Sequence, residues 1–155
     1  MRTRISAGRT GRAVVAPPPV RAPDDGYRAA METPVGPRVL VVGFDPYRIG
    51  GSWDPAPLAA AIDEGLAEFA AHGVGVETCL IGLDGRDDVA AVVTKALQPH
   101  AWDCVVVGGG LRQSDDQLAL FEQVINLIHR HVPTAAIAFN RSPSTMYEAA
   151  ARWVD

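Results

Sequence analysis

Two arginines and a carboxylate, Arg112, Arg141 and Asp45, stand where apolar segments of this chain give way to loops, and a second carboxylate, Glu122, lies toward the start of the longest expected helix. A pair of guanidiniums can hold a carboxylate or phosphate through bidentate hydrogen bonds. A carboxylate beside them can orient a polar group or move a proton. Arg112 follows Gly108-Gly109-Gly110, a run whose amides an anion can approach closely, and Arg141 lies in Asn140-Arg141-Ser142 just ahead of an expected helix. Backbone N–H groups at both places suit negative charge. Asp45 belongs to the stretch from Gly43-Phe44-Asp45-Pro46-Tyr47 to Asp54-Pro55, which is too long and too aromatic for a plain strand-to-helix connection. Together these residues predict a site for an anionic, carboxylate-type small molecule, lined by Phe44, Tyr47, Gly109, Gly110, Arg112, Asn140, Arg141 and Ser142. If a reaction follows binding, Glu122 and Asp45 are the acid-base candidates. The Gly109 and Gly110 amides would then cradle an oxyanion during attack on an amide, lactam or carboxylate.

The elements that must position these residues are readable from hydrophobic period and punctuation. Arg38 to Gly43, Val76 to Ile81, Cys104 to Val107 and Ala135 to Phe139 are short apolar runs that predict buried strands. Between them, Leu58, Ile62, Leu66 and Phe69 recur at helical spacing after Asp54-Pro55 and stop at Gly73, predicting a helix over 55 to 72. Further helices are expected at 87 to 97, from the Ser114-x-x-Gln117 capping box to His131, and from Ser142 to Thr145 onward. Apolar strands that alternate with helices imply right-handed crossovers and a parallel sheet covered on both faces. The expectation is a doubly wound α/β domain over residues 38 to 155, Rossmann-like or flavodoxin-like, with four mainly parallel strands in the order 2-1-3-4. In such sheets ligands bind beyond the strands' carboxyl ends, where the strand order reverses. The three candidate loops follow strands one, three and four, so this order would bring them to one rim.

Composition closes off several other classes. The chain has 155 residues with a net charge of -4, and the charge is uneven: residues 1 to 38 carry seven Arg against three acids, whereas the remainder carries seven bases against fifteen acids. An acidic body is a poor partner for nucleic acid, and no apolar run is long enough for a membrane span. Residues 1 to 37 hold six of the twelve prolines, including Pro17-Pro18-Pro19, and read as a disordered leader. Its Arg-rich first part has the composition of an organellar transit peptide but lacks the apolar stretch of a secretory signal. Cys79 and Cys104 sit inside apolar strands, which suggests small buried hydrophobes in a reducing, cytoplasmic setting.

No metal-ligand spacing occurs, and neither a G-x-G-x-x-G run nor a phosphate-binding G-x-x-x-x-G-K-[ST] loop is present, so no cofactor is expected. His72, His100 and His131 fall at expected helix ends, where the last carbonyls suffice to explain them. Glu122, Asn126 and His129 make a polar stripe on the longest helix. That stripe offers a surface for homodimerisation and is the basis of a non-catalytic, interaction-module alternative; only Glu122 lies near enough to the helix start to reach the strand-end rim.

Gly43-Phe44-Asp45-Pro46-Tyr47, with Gly50-Gly51 and Asp54-Pro55, resembles the first loop of pyroglutamyl peptidase I, G-F-E-P-F-G-G and then N-P. Gly110-Leu111-Arg112 with Leu120 to Asn126 is similar to that family's G-G-R and E-R-V-A-I-N stretches. The resemblance covers about 30 residues and implies that Glu122 is the counterpart of an acidic active-site residue. Where the family needs a cysteine at a helix start, strand four here runs into Asn140-Arg141-Ser142, and the residues after it are expected to be too few to supply the family's histidine-bearing segment. Most of the chain also resembles a group of small, functionally uncharacterised bacterial α/β proteins with G-x-G-x-R and F-E-x-x-I-N patterns, which implies the fold alone.

Overall fold

A computed structural model describes residues 36–154. The leader expected over residues 1 to 37 lies almost wholly outside the described residues. Four strands, β1 (Arg38–Phe44), β2 (Gly75–Ile81), β3 (Cys104–Val107) and β4 (Ala136–Phe139), alternate with four helices, α1 (Ala56–Ala71), α2 (Val89–Leu97), α3 (Leu118–His131) and α4 (Met146–Ala151). The sheet is parallel throughout, and its order is β2-β1-β3-β4, as the alternation of strands and helices predicts. None of the helices described is long and apolar enough to cross a membrane.

Side-chain alternation along β1 builds two cores. Leu40 and Val42 face one way and join Ile81, Val105, Val107, Val93, Leu97, Val124 and Ile128 beneath α2 and α3. Val39 and Val41 face the other way and join Cys104, Val106, Phe69, Met146 and Ala149 beneath α1 and α4. The central strands β1 and β3 are therefore apolar at consecutive positions, whereas the edge strand β2 exposes Glu77 and Thr78. Trp102 is buried at the base of the first core and still satisfies its indole, which donates to the Leu97 carbonyl at 3.1 Å.

The helix ends follow local chemistry, with one correction to the sequence reading. Asp54 Oδ1 accepts from the Ala56 amide at 3.0 Å, and Asp88 Oδ1 accepts from the Ala91 amide at 3.1 Å, so each starts its helix as an acidic cap should. At the far end of α1, Gly73 adopts φ +70° while Val74 N–H reaches the Phe69 carbonyl and Gly73 N–H the Ala70 carbonyl. This paired C-terminal closure needs the left-handed residue that glycine supplies. The capping box expected at Ser114-x-x-Gln117 is not formed: the Ser114 side chain makes no capping bond, and its carbonyl instead accepts from Gln117 N–H at the start of a 3-10 turn, Asp115–Gln117. The tighter turn takes up the geometry that the box would have used, and α3 begins after it at Leu118.

One contact fixes the distance between α1 and the chain after β4. Gly65 is buried in the middle of α1, where a methyl group would collide with the Pro143 carbonyl and lie 2.6 Å from Met146 Cε. Alanine normally favours a helix interior by about 1 kcal/mol over glycine, but overpacking costs about 1–3 kcal/mol. Here the collision is with backbone, so packing should outweigh propensity. Gly65→Ala is expected to lower the thermal midpoint by several degrees in a calorimetric or circular-dichroism melt, and a midpoint equal to or above that of the parent would refute the tight-contact assignment.

Candidate functional site

β1 and β3 are adjacent at the centre of the sheet, but the chain leaves them for opposite faces, toward α1 after β1 and toward α3 after β3. A cleft of about 270 Å³ opens beyond their carboxyl ends, on the side covered by α1 and α4. Gly43 and Val41 of β1 and Thr78 and Leu80 of β2 make its floor, and Ile49, Leu58 and Ile62 make an apolar wall. The opposite wall is Gly108-Gly109-Gly110 with Gln113, and Asn140, Arg141, Ser142 and Pro143 close the end.

The floor is open because of one residue. Gly43 shares the strand parity of Val39 and Val41, and a Cβ built on it would meet nothing within 4 Å. Glycine inside a strand costs conformational entropy and often marks a bulge, a bend or a close approach of another group to the backbone. The other cleft glycines are packed against protein: a Cβ at Gly108 would lie 3.2 Å from the Val42 carbonyl, and one at Gly110 would lie 3.0 Å from the Phe44 ring. Gly109–Leu111 form a 3-10 turn in which Leu111 and Arg112 N–H groups bond to Gly108 and Gly109 carbonyls. The Gly109 and Gly110 amides begin that turn and are left outside its hydrogen bonds.

The loop after β1 is anchored to the end of β2. Arg48 places Nε and Nη2 on Asp84 at 3.0 and 2.9 Å and Nη2 on Asp87 at 2.9 Å. Asp87 also accepts from Gly82 N–H at 2.9 Å, while Leu83 N–H donates to the Arg48 carbonyl and Asp45 N–H to the Ile81 carbonyl. Hydrogen bonding by Arg48 holds both carboxyls below their usual range and raises the guanidinium above its own. Sequence reasoning did not single out Arg48, because its partners lie 36 and 39 residues away. The one available signal was the cluster of acids Asp84, Asp87 and Asp88 directly after an apolar strand.

Of the residues expected at the site, Phe44, Gly109, Gly110, Asn140, Arg141 and Ser142 line the cleft. Arg112, Tyr47, Asp45 and Glu122 do not. Arg112 is engaged elsewhere, with its guanidinium donating to the Asn140 carbonyl and lying 5.5 Å over the Phe139 ring. Tyr47 is two-thirds exposed, and its amide donates to Asp45 Oδ1 at 3.0 Å, so that carboxylate caps its own turn. Glu122 is exposed on α3, the helix that covers the other face of the sheet, and the Asn126 side chain donates to its carbonyl. Asp45 and Glu122 are thus not brought together in the cleft.

Arg141 is exposed and makes no ion pair among the described residues. Its neighbour Asn140 is buried, and Nδ2 donates to the Ser142 carbonyl at 2.7 Å while Oδ1 has no partner. Thr145 Oγ1 accepts from the Arg141 and Ser142 amides at 3.1 Å and fixes the turn that carries them.

Nucleophilic chemistry finds little support in this arrangement. Ser142 Oγ has only the hydroxyls of Ser144 and Thr145 as side-chain partners, at 3.0 and 3.5 Å, and no base is among them. Cys79 and Cys104 are buried, and desolvation pushes both thiols up to about 11. No family model, curated protein or solved structure matches the chain.

The Arg48 anchor has a calculable pH signature. Both carboxyls are depressed in the folded state, so their contribution is full above the unfolded value of about 3.9 and is lost as pH falls through the lower folded values. In denaturant titrations, Arg48→Gln should be less stable than the parent at pH 6, and the gap should close as pH drops below about 4. A gap that stays constant from pH 6 to pH 3 would show that Arg48 acts through packing alone.

Proposed function

We propose that the chain binds a small molecule with a carboxylate-type anionic group in the cleft beyond β1 and β3. The observation that carries this reading is the empty floor at Gly43: a Cβ there would meet nothing within 4 Å, on the face where Val41 lines the cleft. The apolar wall of Ile49, Leu58 and Ile62 takes the body of the ligand, and Arg141, the Gly109 and Gly110 amides and Ser142 offer positive charge and hydrogen bonds to its anionic end. An engineered apolar cavity of about 150 Å³ holds benzene. A cleft of about 270 Å³ accordingly suits a branched side chain or single ring with one polar group.

Binding without chemistry is the reading favoured by the placement of the candidate acids. A hydrolase or lyase using Glu122 would need that carboxylate at the cleft, and it stands exposed on α3. Asp45 is occupied as a turn cap.

Thermal unfolding of the full chain against apolar carboxylates such as isovalerate and phenylacetate tests the proposal. A ligand at about 100 times its dissociation constant adds about 2.7 kcal/mol, enough for a shift of several degrees in a domain of this size. Gly43→Leu should fold, because the new side chain has room, and should lose the shift. A shift retained in that variant, or none in the parent at saturating concentrations, would overturn the assignment of the cleft.

A further inference from the structure

A second cavity adjoins the cleft at the residues that close its end. It measures about 450 Å³ and is lined by Phe139, Asn140, Arg141, Thr145, Glu148 and Arg152, so Asn140 and Arg141 belong to both. The two compartments differ in chemistry. The cleft is mainly apolar, whereas the second cavity has two guanidiniums against one carboxylate. Arg152 uses Nη2 to donate to the Phe139 carbonyl at 3.1 Å, which leaves most of its five donors unassigned. Arg141 has no ion pair among the described residues.

Asn140 is the wall between them and has only 5% of its surface exposed. Its amide orientation follows from the hydrogen bond to the Ser142 carbonyl, an acceptor that requires Nδ2 on that side. Oδ1 is left as the buried side-chain acceptor without a donor among the described residues. Such a group costs free energy unless a donor arrives. Of the groups placed at the shared wall, this is the one that asks for a hydrogen-bond donor.

We infer, building on the cleft reading above, that the ligand is a two-part molecule with an apolar head in the Gly43 cleft, an N–H group at Asn140, and a terminal oxyanion between Arg141 and Arg152. An acyl amide of an amino acid has this order of groups: apolar acyl chain, amide N–H, carboxylate. A phosphate in place of the carboxylate would use the same guanidiniums. Joining the two halves makes the second contact intramolecular, so the whole molecule should bind far more tightly than either part.

Four probes separate the contributions in calorimetric titrations of the full chain. These are isovalerate for the head alone, N-acetylglycine for the tail, N-isovalerylglycine for the whole, and the ester analogue isovaleryloxyacetate, which lacks the N–H. An amide of the same head carrying a terminal phosphate distinguishes the two oxyanions. The expected result is that N-isovalerylglycine, or its phosphate counterpart, binds at least about tenfold more tightly than any other probe. Arg152→Gln should remove about tenfold from that affinity, leave isovalerate unchanged, and keep the unliganded unfolding midpoint near the parent's.

Equal affinity for isovalerate and N-isovalerylglycine, with no effect of Arg152→Gln, would overturn the two-part ligand while the cleft reading stands. Binding of N-isovalerylglycine that survives Gly43→Leu but not Arg152→Gln would overturn the cleft reading, and with it the placement of the head. Failure of all probes to bind would overturn both.

Discussion

The pairing of β1 with β2 on one side and β3 on the other is the constraint from which the site follows. Parallel strands cannot be joined by tight turns, so each needs a crossover helix, and the handedness of crossovers sends the chain to one face after β1 and to the other after β3. Two adjacent strands whose continuations diverge leave a gap at their carboxyl ends. The apolar pattern that buries both faces of β1 is thus also what opens the cleft. A sheet in simple sequential order would place successive crossovers on the same face and have no such point.

A gap in a protein tends to close unless its walls are braced, because apolar surface gains by contact. Two braces are visible, and they are of different kinds. On the α1 side, the Gly65 contact with Pro143 sets how near the helix comes to the loop after β4. On the β2 side, Arg48 ties the loop after β1 to Asp84 and Asp87, and this loop carries Ile49 into the apolar wall. The first brace is steric and insensitive to pH; the second is electrostatic and fails in acid. Gly82 completes it, since a Cβ there would lie 2.7 Å from the Arg48 guanidinium carbon.

The strands, their order and the rim that the loops share are legible in the sequence, because burial on two faces forces apolar residues at consecutive positions and Gly, Pro and Asp punctuate the rest. Six of the anticipated binding residues line the cleft because they lie at or just beyond the carboxyl ends of β1, β3 and β4, and in a parallel sheet those ends share one edge. Side-chain direction is less legible. Arg112 and Arg141 look equivalent in sequence, yet Arg112 is drawn onto the Asn140 carbonyl and the Phe139 ring while Arg141 is left at the cleft. Glu122 is near the start of α3, but which face of the sheet that helix covers decides its access. Gly43 was recoverable, since Val39, Val41 and Gly43 alternate on one face and only the last lacks a side chain.

The same geometry argues about chemistry. A nucleophile needs a base within hydrogen-bond reach or a depressed pKa, and at Ser142, Cys79 and Cys104 neither condition is met among the described residues. The two thiols are displaced upward by burial inside the sheet, away from the reactive range. Ser142 is held in a cluster of hydroxyls that serves the turn before α4. The cleft instead offers shape, positive charge at Arg141 and the Gly109 and Gly110 amides that begin a 3-10 turn, which agree with the proposed recognition. Asn140 Oδ1 bears on the same proposal: with a ligand in the cleft, a buried acceptor without a donor would favour one that supplies an N–H over one that does not.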